Sequence, residues 1–385
     1  MRIAIFHNRY RLRGGEDAAV DAQVELLAKA GHEVRLFAVD NRDEIKGAGG
    51  ALRAARHARW NPTMSARVDR WLEDFPADVA HVHNFFPLLS PSLHHALAGR
   101  GVPVVQTLHN YRLLCGNALL LRDHRPCREC VDRSPWRAVR YGCYRGSRAQ
   151  TAVWADAITH NRRRGTWRDC VDRFVVPSET AGRVMIAGGL PADRIRVLPN
   201  PVADPGPPAS PGDGAVVVGR LAPEKGVDLL LEAWRALGEV KLTIVGTGPE
   251  ESRLRAQAAS LPNVRFLGDV SHDRALDAMA AASFAIVPSR AIEVFGMTTV
   301  EAMACGRPIV VPRGSAMAEP VESGRTGMVF ESGDATSLAD ASRALAEDPE
   351  LATLMGEEAR RVYEDHYASD AVCEALESLY ESIRR

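Results

Sequence analysis

The strongest constraint on the fold is the alternation of short apolar runs with longer helix-like runs along the first 110 residues. The apolar runs are RIAIFH, EVRLFAVD, DVAHVHN and VPVVQTLH, and a helix-like run such as AVDAQVELLAKAGH lies between two of them. Strands without polar alternation are buried on both faces, which is typical of a parallel sheet covered by helices. The sequence therefore predicts an α/β fold of the Rossmann-like kind.

The same alternation restarts after residue 213, with GAVVVGRL, KLTIVG, VRFLG, FAIVPS and PIVVPR as strands. Between the two series lies VLPNPVADPGPPASPGDG, whose proline and glycine content is typical of a domain boundary, and we place a hinge near Asn200. We expect Rossmann-like domains at 1–200 and 201–367, facing each other across a cleft, with a final helix at 368–385 that packs back on the first domain. In such sheets ligands bind beyond the carboxyl ends of the strands, so function should reside in the strand-end loops.

The net charge of -1 hides an asymmetry between the two halves of the chain. Residues 1–200 carry 31 Lys and Arg against 20 Asp and Glu, whereas residues 201–385 carry 17 against 29. A basic half indicates an anionic partner or a membrane surface, and electrostatic docking of the two halves is the alternative.

The basic residues are concentrated in one segment, where fourteen arginines between Arg112 and Arg173 stand against six acids. Aromatic residues are interleaved with them: Trp136, Tyr141, Tyr144, Trp154 and Trp167. Such a face suits an anionic acceptor or anionic lipid. RNA is the other usual partner, but no nucleic-acid module is recognisable, and a solvated surface remains the plain alternative.

No stretch approaches the roughly 18 uninterrupted apolar residues of a membrane span, and the chain starts directly as a strand. We therefore expect a cytoplasmic protein, with peripheral contact on the inner face of the membrane as a variant of that expectation.

Seven cysteines in such a chain argue for burial or metal binding and against a disulfide framework. Cys170, Cys305 and Cys373 are isolated in the sequence and are predicted to be small core residues. The other four have the spacing Cys115-x11-Cys127-x2-Cys130-x12-Cys143. Four thiolates around a Cys-x2-Cys core predict a structural zinc site, and buried free thiols are an equally open interpretation.

The first strand is followed by RYRLRGGEDAAV, which places Gly14 and Gly15 just before a helix that opens with Glu16 and Asp17. Paired glycines allow close backbone approach, and a helix N-terminus offers N–H groups to an anion. A tight turn with acids that complement the helix dipole is the alternative. Because no strand is followed by GxGxxG, a nicotinamide dehydrogenase is disfavoured.

In GRLAPEKGVDLLLEAW, Arg220 leaves a strand and Lys225 follows just ahead of a helix. Two cations near a helix N-terminus can bind a diphosphate, the arginine by its planar fork and the lysine as a point charge. A solvated loop is the alternative.

The stretch PSRAIEVFGMTTVEAMACGRPIVV sets Glu293 and Glu301 eight positions apart. On one helix they would lie about 12 Å apart, beyond the roughly 5 to 9.5 Å of a glycosidase carboxylate pair. We expect Gly296 to break the helix and Thr298 to start it, so that Thr298-x-x-Glu301 reads as a capping box. The segment Phe295–Met297 would then offer backbone amides to a ligand.

Taken together, these motifs resemble the family 4 glycosyltransferases of the GT-B fold. EVFGMTTVE, GRLAPEKG, VGTGPE and VRFLGDV are similar to the donor domain of that family, while GGED, HVHNFFPLLSP and QTLHNYRLLC are similar to the acceptor domain of one bacterial branch. The resemblance covers nearly the whole chain, and the order of the motifs is more specific than any one of them.

The resemblance implies a retaining, metal-independent transferase that moves a hexose or N-acetylhexosamine from a UDP- or GDP-sugar to an acceptor hydroxyl. It implies that Arg220 and Lys225 neutralise the leaving diphosphate, with Gly15 closing over it, and that Glu293 binds the donor sugar. Glu301 would hold the ribose, and His109 would lie beside the reacting sugar. The complete set implied around the donor is Gly14, Gly15, Arg220, Lys225, Gly246, Val270, Glu293, Phe295, Gly296, Met297, Thr298 and Glu301.

Two other functions remain open from the sequence. A sugar-nucleotide epimerase of the same architecture would need no acceptor. A non-catalytic protein could instead bind an anionic ligand or nucleic acid through the Cys- and Arg-rich segment.

Overall fold

The computed structural model describes residues 1–11, 15–123 and 125–385. The chain divides into two compact units. The first comprises Met1–Leu120, Cys127–Pro201 and Val372–Arg385, and the second comprises Leu121–Pro126 and Val202–Ala371. The change of unit after Pro201 lies beside the predicted hinge, and the terminal segment is grouped with the first unit from Val372 onward.

The strands follow each other along the chain as β1 (Arg2–Arg9), β2 (Glu33–Asp40), β3 (Val79–Val82), β4 (Val104–Thr107), β5 (Leu121–Arg122), β6 (Arg125–Pro126), β7 (Arg173–Val176), β8 (Ile195–Val197), β9 (Ala215–Val218), β10 (Leu242–Val245), β11 (Val264–Gly268), β12 (Phe284–Ile286), β13 (Ile309–Pro312) and β14 (Gly327–Phe330). Strands β5 and β6 form a short antiparallel pair, and the other strands build two sheets.

The helices are α1 (Gly15–Lys29), α2 (Asn41–Glu44), α3 (Gly47–His57), α4 (Pro62–Asp74), α5 (Ser92–Gly99), α6 (Glu129–Asp132), α7 (Arg137–Tyr141), α8 (Arg148–Arg163), α9 (Thr166–Asp169), α10 (Glu179–Ala187), α11 (Val227–Trp234), α12 (Glu251–Gln257), α13 (His272–Ala280), α14 (Met297–Ala304), α15 (Ala335–Glu347), α16 (Pro349–His366) and α17 (Ser369–Ile383). Short 3-10 turns lie at Ala192–Arg194, Pro223–Lys225 and Ala316–Ala318.

The sheet of the first unit has the strand order β2-β1-β3-β4-β7-β8, and every neighbouring pair is parallel. Its central strands β1, β3 and β4 are mostly buried, as the lack of polar alternation predicted, whereas the edge strands β2 and β8 are partly exposed. The strand order reverses between β1 and β3. The loops that follow these two strands are therefore where a doubly wound sheet binds ligands.

The sheet of the second unit has the order β11-β10-β9-β12-β13-β14, again with parallel pairs throughout. Relative to the chain this order is 3-2-1-4-5-6, the doubly wound arrangement of a dinucleotide-binding domain. Its switch point lies between β9 and β12. The predicted α/β class with two Rossmann-like sheets is confirmed.

The C-terminal helix α17 completes the core of the first unit. Its Val372, Leu376 and Tyr380 are buried against Ile3 and Ile5 of β1 and other strand residues. An apolar face of this kind contributes about 1.5–3 kcal/mol for each fully buried side chain. The last residues of the chain are therefore part of the first hydrophobic core.

Across residues 1–11, 15–123 and 125–385, no helix has the length and apolarity needed to cross a membrane.

Leu376 offers a test of this packing. Truncation in Leu376→Ala leaves a cavity under α17 and should cost about 2–5 kcal/mol of stability, measured as a lower melting temperature by calorimetry. Leu52→Ala is the matched control, because Leu52 of α3 is 73% exposed and its loss should change stability by less than about 0.5 kcal/mol. Equal melting temperatures for the two variants would contradict the assignment of α17 to this core.

Candidate active site

The loops that follow β9 and β12 meet at the switch point of the second sheet. Gly226, which precedes α11, has φ 67°, and a Cβ atom there would lie 2.1 Å from the carbonyl oxygen of Pro288. The amide of Arg290 donates to the carbonyl of Glu224 at 2.9 Å. Only glycine tolerates both the positive φ and this approach, so Gly226 allows the two loops to touch.

This contact brings Lys225 and Glu293 together. Lys225 Nζ donates to Glu293 Oε1 at 2.8 Å, and the buried Ser289 hydroxyl donates to the same oxygen at 2.7 Å. The side chains of Lys225 and Glu293 are 34% and 21% exposed, so both can contact a ligand. The predicted cation and the predicted sugar-binding carboxylate therefore form one ion pair at the strand ends.

The other predicted cation, Arg220, has a 63% exposed side chain and donates to the carboxylate of Glu224. A further arginine, Arg290, pairs with Asp228 of α11 at 2.5 and 3.1 Å. Partial burial of Asp228 opposes ionisation, yet the hydrogen bonds from Arg290 lower the pKa of Asp228 below its usual value. Each of these cations is thus held by a carboxylate of the same loop system.

Sequence reasoning missed four members of this network: Glu224, Asp228, Ser289 and Arg290. All four stand within the two quoted motifs, GRLAPEKGVDLLLEAW and PSRAIEVFG. Their position in loops that follow neighbouring strands was the signal that could have identified them.

Gly246 lies just beyond β10, where a Cβ atom would meet the carbonyl oxygen of Gly219 at 2.1 Å. It packs the carboxyl ends of β9 and β10 together. Val270 follows β11 and is half-buried against the apolar cluster on one side of the sheet. Both residues lie in strand-end loops of the second sheet.

The predicted capping box in α14 is wrong. The helix begins at Met297 with Gly296 as its N-cap, and no side chain caps it. Thr298 therefore lies inside the first turn, where its hydroxyl is too far along the helix to serve as the cap. The residue that ends the preceding loop is a glycine, and its backbone sets the start of the helix.

Glu301 is consequently not a capping residue. It lies on the second turn of α14 with its side chain 13% exposed and 3.9 Å from Nε2 of His272 at the start of α13. Burial raises the pKa of Glu301 above its usual value, while the nearby His272 opposes that effect. The structure therefore places Glu301 facing the β11–α13 connection, the same region as Val270.

Phe295–Met297 forms the entry to α14. The Phe295 side chain is buried against Val300, Met303 and Tyr363, and this packing anchors the loop that leads into α14. The first N–H groups of a helix have no partner within it, so α14 leaves donors at its N-terminus. These donors follow Glu293 directly along the chain.

In the first unit, His109 follows β4 and belongs to a stack of buried histidines. His109 Nε2 lies 2.8 Å from His83 Nδ1, and their rings stack with centroids 5.1 Å apart. His83 stacks in turn on His81 at 4.4 Å. Burial lowers the pKa of His109 to about 3, with a further contribution from nearby His7, so that His109 is neutral at pH 7.

The other histidines were missed from the sequence, although HVH places His81 in the buried strand β3 and His83 directly after it. His81 Nε2 lies 2.6 Å from Thr107 Oγ1, and its Nδ1 lies 2.5 Å from the hydroxyl of Tyr380 in α17. His7 Nε2 lies 2.9 Å from Asp17 Oδ1, and both residues are buried. Buried imidazoles on consecutive strands were the available signal.

Gly15 is the first residue of α1 and is exposed. Gly14, which the sequence also predicted to approach the donor, lies outside the described residues. The acids that open α1 differ in their surroundings, because Asp17 faces His7 whereas Glu16 faces the loop after β4.

The four cysteines of the predicted zinc site lie within the first unit, and none of them is in a disulfide. Burial, together with the nearby Cys115, Cys143 and Cys127, raises the pKa of Cys130 to about 12. Cys115 Sγ donates to the side-chain oxygen of Asn117 at 2.9 Å. A search of the described residues finds no three His, Cys, Asp or Glu side chains arranged to hold a metal ion. The zinc site stays a prediction from spacing, which elemental analysis of the purified protein would test.

The Arg-rich segment is less exposed to solvent than its sequence suggests. Trp154 and Trp167 are core residues, whereas Trp136 and Tyr141 are 46% and 44% exposed. Arg112 donates to the carbonyl of Gly116 at 2.6 Å, so part of the positive charge serves internal contacts. The prediction that all five aromatic residues line one surface is wrong, because two of them are needed to fill the core.

Comparisons with known families match most of the chain. Residues 13–204 match the family described as "Glycosyltransferase Family 4", and residues 211–362 match "Glycosyl transferases group 1". The boundary between the two matches falls in the Pro- and Gly-rich segment.

Individual relatives are similar over long stretches. A phosphatidyl-myo-inositol mannosyltransferase of Mycobacterium leprae is 28% identical over 386 aligned positions, covering 95% of this chain and 93% of the relative. A D-inositol 3-phosphate glycosyltransferase of Acidothermus cellulolyticus is 31% identical, covering 69% of this chain and 58% of the relative.

Solved structures show the same fold. HepE of Anabaena, crystallised with UDP, superimposes with a TM-score of 0.71 at 18% identity, covering 99% of this chain and 100% of HepE. Sucrose-phosphate synthase of Thermosynechococcus elongatus gives a TM-score of 0.73 at 19% identity, covering 99% of this chain and 98% of the synthase. From the two family matches and the GT-B architecture, the chain belongs to the family 4 glycosyltransferases.

Proposed function

We propose that this chain is a retaining glycosyltransferase that moves a hexose or N-acetylhexosamine from a UDP- or GDP-sugar to an acceptor hydroxyl, without a catalytic metal. The observation that carries the proposal is the ion pair of Lys225 with Glu293 at the switch point of the second sheet. A doubly wound sheet binds its ligand at this point, and the pair offers a cation for phosphate beside a carboxylate for sugar hydroxyls.

The electrostatics of the reaction support these roles. When a nucleoside diphosphate departs, negative charge grows on the phosphates while positive charge develops on the sugar ring. Cations that are already fixed in place stabilise that charge without reorganisation at the moment of reaction. Arg220 and Lys225 are both anchored by carboxylates, at Glu224 and Glu293, so their positions are set before the donor arrives. A metal ion is not needed for this neutralisation.

The remaining donor contacts are proposed from the geometry around α14. Glu293 and the amides of Phe295, Gly296 and Met297 bind the sugar. Glu301 binds the ribose, whose hydroxyls donate hydrogen bonds to this largely buried, 13% exposed side chain. The base packs near Val270.

The acceptor is proposed to carry both a hydroxyl group and a negative charge. The positive charge of residues 1–200 supports this. The names of two relatives support it as well, because one names phosphatidyl-myo-inositol and the other names D-inositol 3-phosphate. We propose that the protein works in the cytoplasm, or on the inner membrane surface if the acceptor is a lipid.

Lys225→Ala tests the proposed role of the ion pair. Loss of a preorganised cation at the leaving group should lower kcat by about 10²–10³-fold. A partly exposed ion pair contributes only about 0–1 kcal/mol to stability, so the melting temperature should change little. Lys241→Ala is the matched control, because Lys241 lies in the same unit and pairs with Asp213 on the surface, away from the site. If turnover and melting temperature fell in parallel, Lys225 would be a structural residue.

The donor is tested by melting the protein with UDP-glucose, GDP-mannose, ADP-glucose or dTDP-glucose. A ligand at 100 times its dissociation constant stabilises the folded state by about 2.7 kcal/mol, so the matching donor should raise the melting temperature clearly. The shift and the turnover should persist in EDTA. If no nucleotide sugar raised the melting temperature at millimolar concentration, the donor site would be refuted. If EDTA abolished turnover and Mg²⁺ restored it, the metal independence would be refuted.

A further inference from the structure

A small cavity opens at the carboxyl ends of β1, β3 and β4 in the first unit. Its walls include Glu16, His83, His109, Asn110 and Arg112. The volume is about 20 Å³, and a polar cavity of roughly 10–15 Å³ is enough for one water molecule. The space therefore fits a single hydroxyl group, and it lies at the switch point of this sheet.

Glu16 is held in this cavity by two donors. The Tyr10 hydroxyl donates to Glu16 Oε2 at 3.0 Å, and Asn110 Nδ2 donates to the same oxygen at 3.0 Å. In the part of the chain that the structure describes, no group donates to Oε1. One carboxylate oxygen is thus fixed by the protein while the other is left for a ligand.

The histidines beside Glu16 are polar but uncharged. Burial lowers the pKa of both His83 and His109, and His83 Nε2 is buried without a hydrogen-bond partner among the described residues. A buried polar nitrogen without a partner is costly unless a ligand or water supplies one. His83 and Glu16 both line the cavity, which favours a polar group there.

We propose that Glu16 binds the reacting hydroxyl group of the acceptor in this cavity, accepting its hydrogen bond through Oε1. The inference rests on the proposed function and adds an acceptor-positioning residue to it. Glu16 orients the oxygen nucleophile, and Arg112, which also lines the cavity, provides positive charge that suits an anionic acceptor.

The role requires the ionised carboxylate, since a protonated carboxyl group would compete as a donor. Burial is the main cause that raises the pKa of Glu16 to about 7, and the charge of Asp17 contributes to the rise. The hydrogen bonds from Tyr10 and Asn110 and the charge of Arg112 act in the opposite direction. His83 and His109 stay neutral in this range. Glu16 is then about one-tenth ionised at pH 6 and about nine-tenths at pH 8. Acceptor use should rise about tenfold over that interval.

The kinetic test compares Glu16→Gln with the wild type, using the donor identified by melting and glycerol as the hydroxyl probe. In Glu16→Gln the amide can still accept from Tyr10 and Asn110, but it presents N–H to the cavity. We expect kcat/KM for glycerol to fall about 10–100-fold and to lose its rise between pH 6 and 8. The melting shift caused by the donor should be unchanged. Glu25→Gln, at an exposed site on the same helix α1, should behave as the wild type.

A second measurement does not depend on turnover. In protein labelled with ¹³C at the glutamate carboxyl carbon, one resonance should titrate near pH 7, be missing in Glu16→Gln, and shift its midpoint downward when glycerol is added. A midpoint that glycerol leaves unchanged, or a Glu16→Gln variant with wild-type pH dependence, would overturn the proposal. A protein that no nucleotide sugar stabilises would instead refute the proposed function, and the labelled titration would still decide the role of Glu16.

Discussion

The close approach of Gly226 to the carbonyl of Pro288 is the constraint on which the second unit's site depends. A Cβ atom at Gly226 would stand 2.1 Å from that oxygen, so any other residue would push the two loops apart. With the loops in contact, Lys225 reaches Glu293, Arg290 reaches Asp228, and α11 starts directly behind them. One backbone position thus determines whether the cation and the carboxylate work as a pair.

In the first unit the corresponding constraint is burial of uncharged imidazoles. Tyr380 of α17 contacts His81, which stacks on His83, which contacts His109 at the cavity. Burial opposes protonation of all three histidines, so their uncharged rings can pack at close range without like-charge repulsion. The C-terminal helix therefore supports the wall of this cavity through the stack, and burial raises the pKa of Glu16 in the same wall to about 7.

The sequence predicted the two parallel sheets and the strand-end loops that hold the candidate site, because buried strands and strand-end glycines leave direct patterns. It did not predict the pairing of Lys225 with Glu293, since that depends on which strands become neighbours across the switch point. The capping box at Thr298 failed because the N-cap of α14 is Gly296, two residues earlier than the Thr-x-x-Glu pattern implies. Ser289 and Glu224 were missed because a single polar residue in a loop carries no periodicity.

Charge counts were the least reliable guide to the sites, and the reason is physical. Residues 201–385 carry 29 acids against 17 bases, yet three cations, Arg220, Lys225 and Arg290, gather at the switch point. Each has its own carboxylate partner, so the charges of this cluster nearly balance and the cations are held in place. Under the proposed function, a diphosphate would meet a fixed array whose geometry, more than its net charge, decides the strength of the interaction.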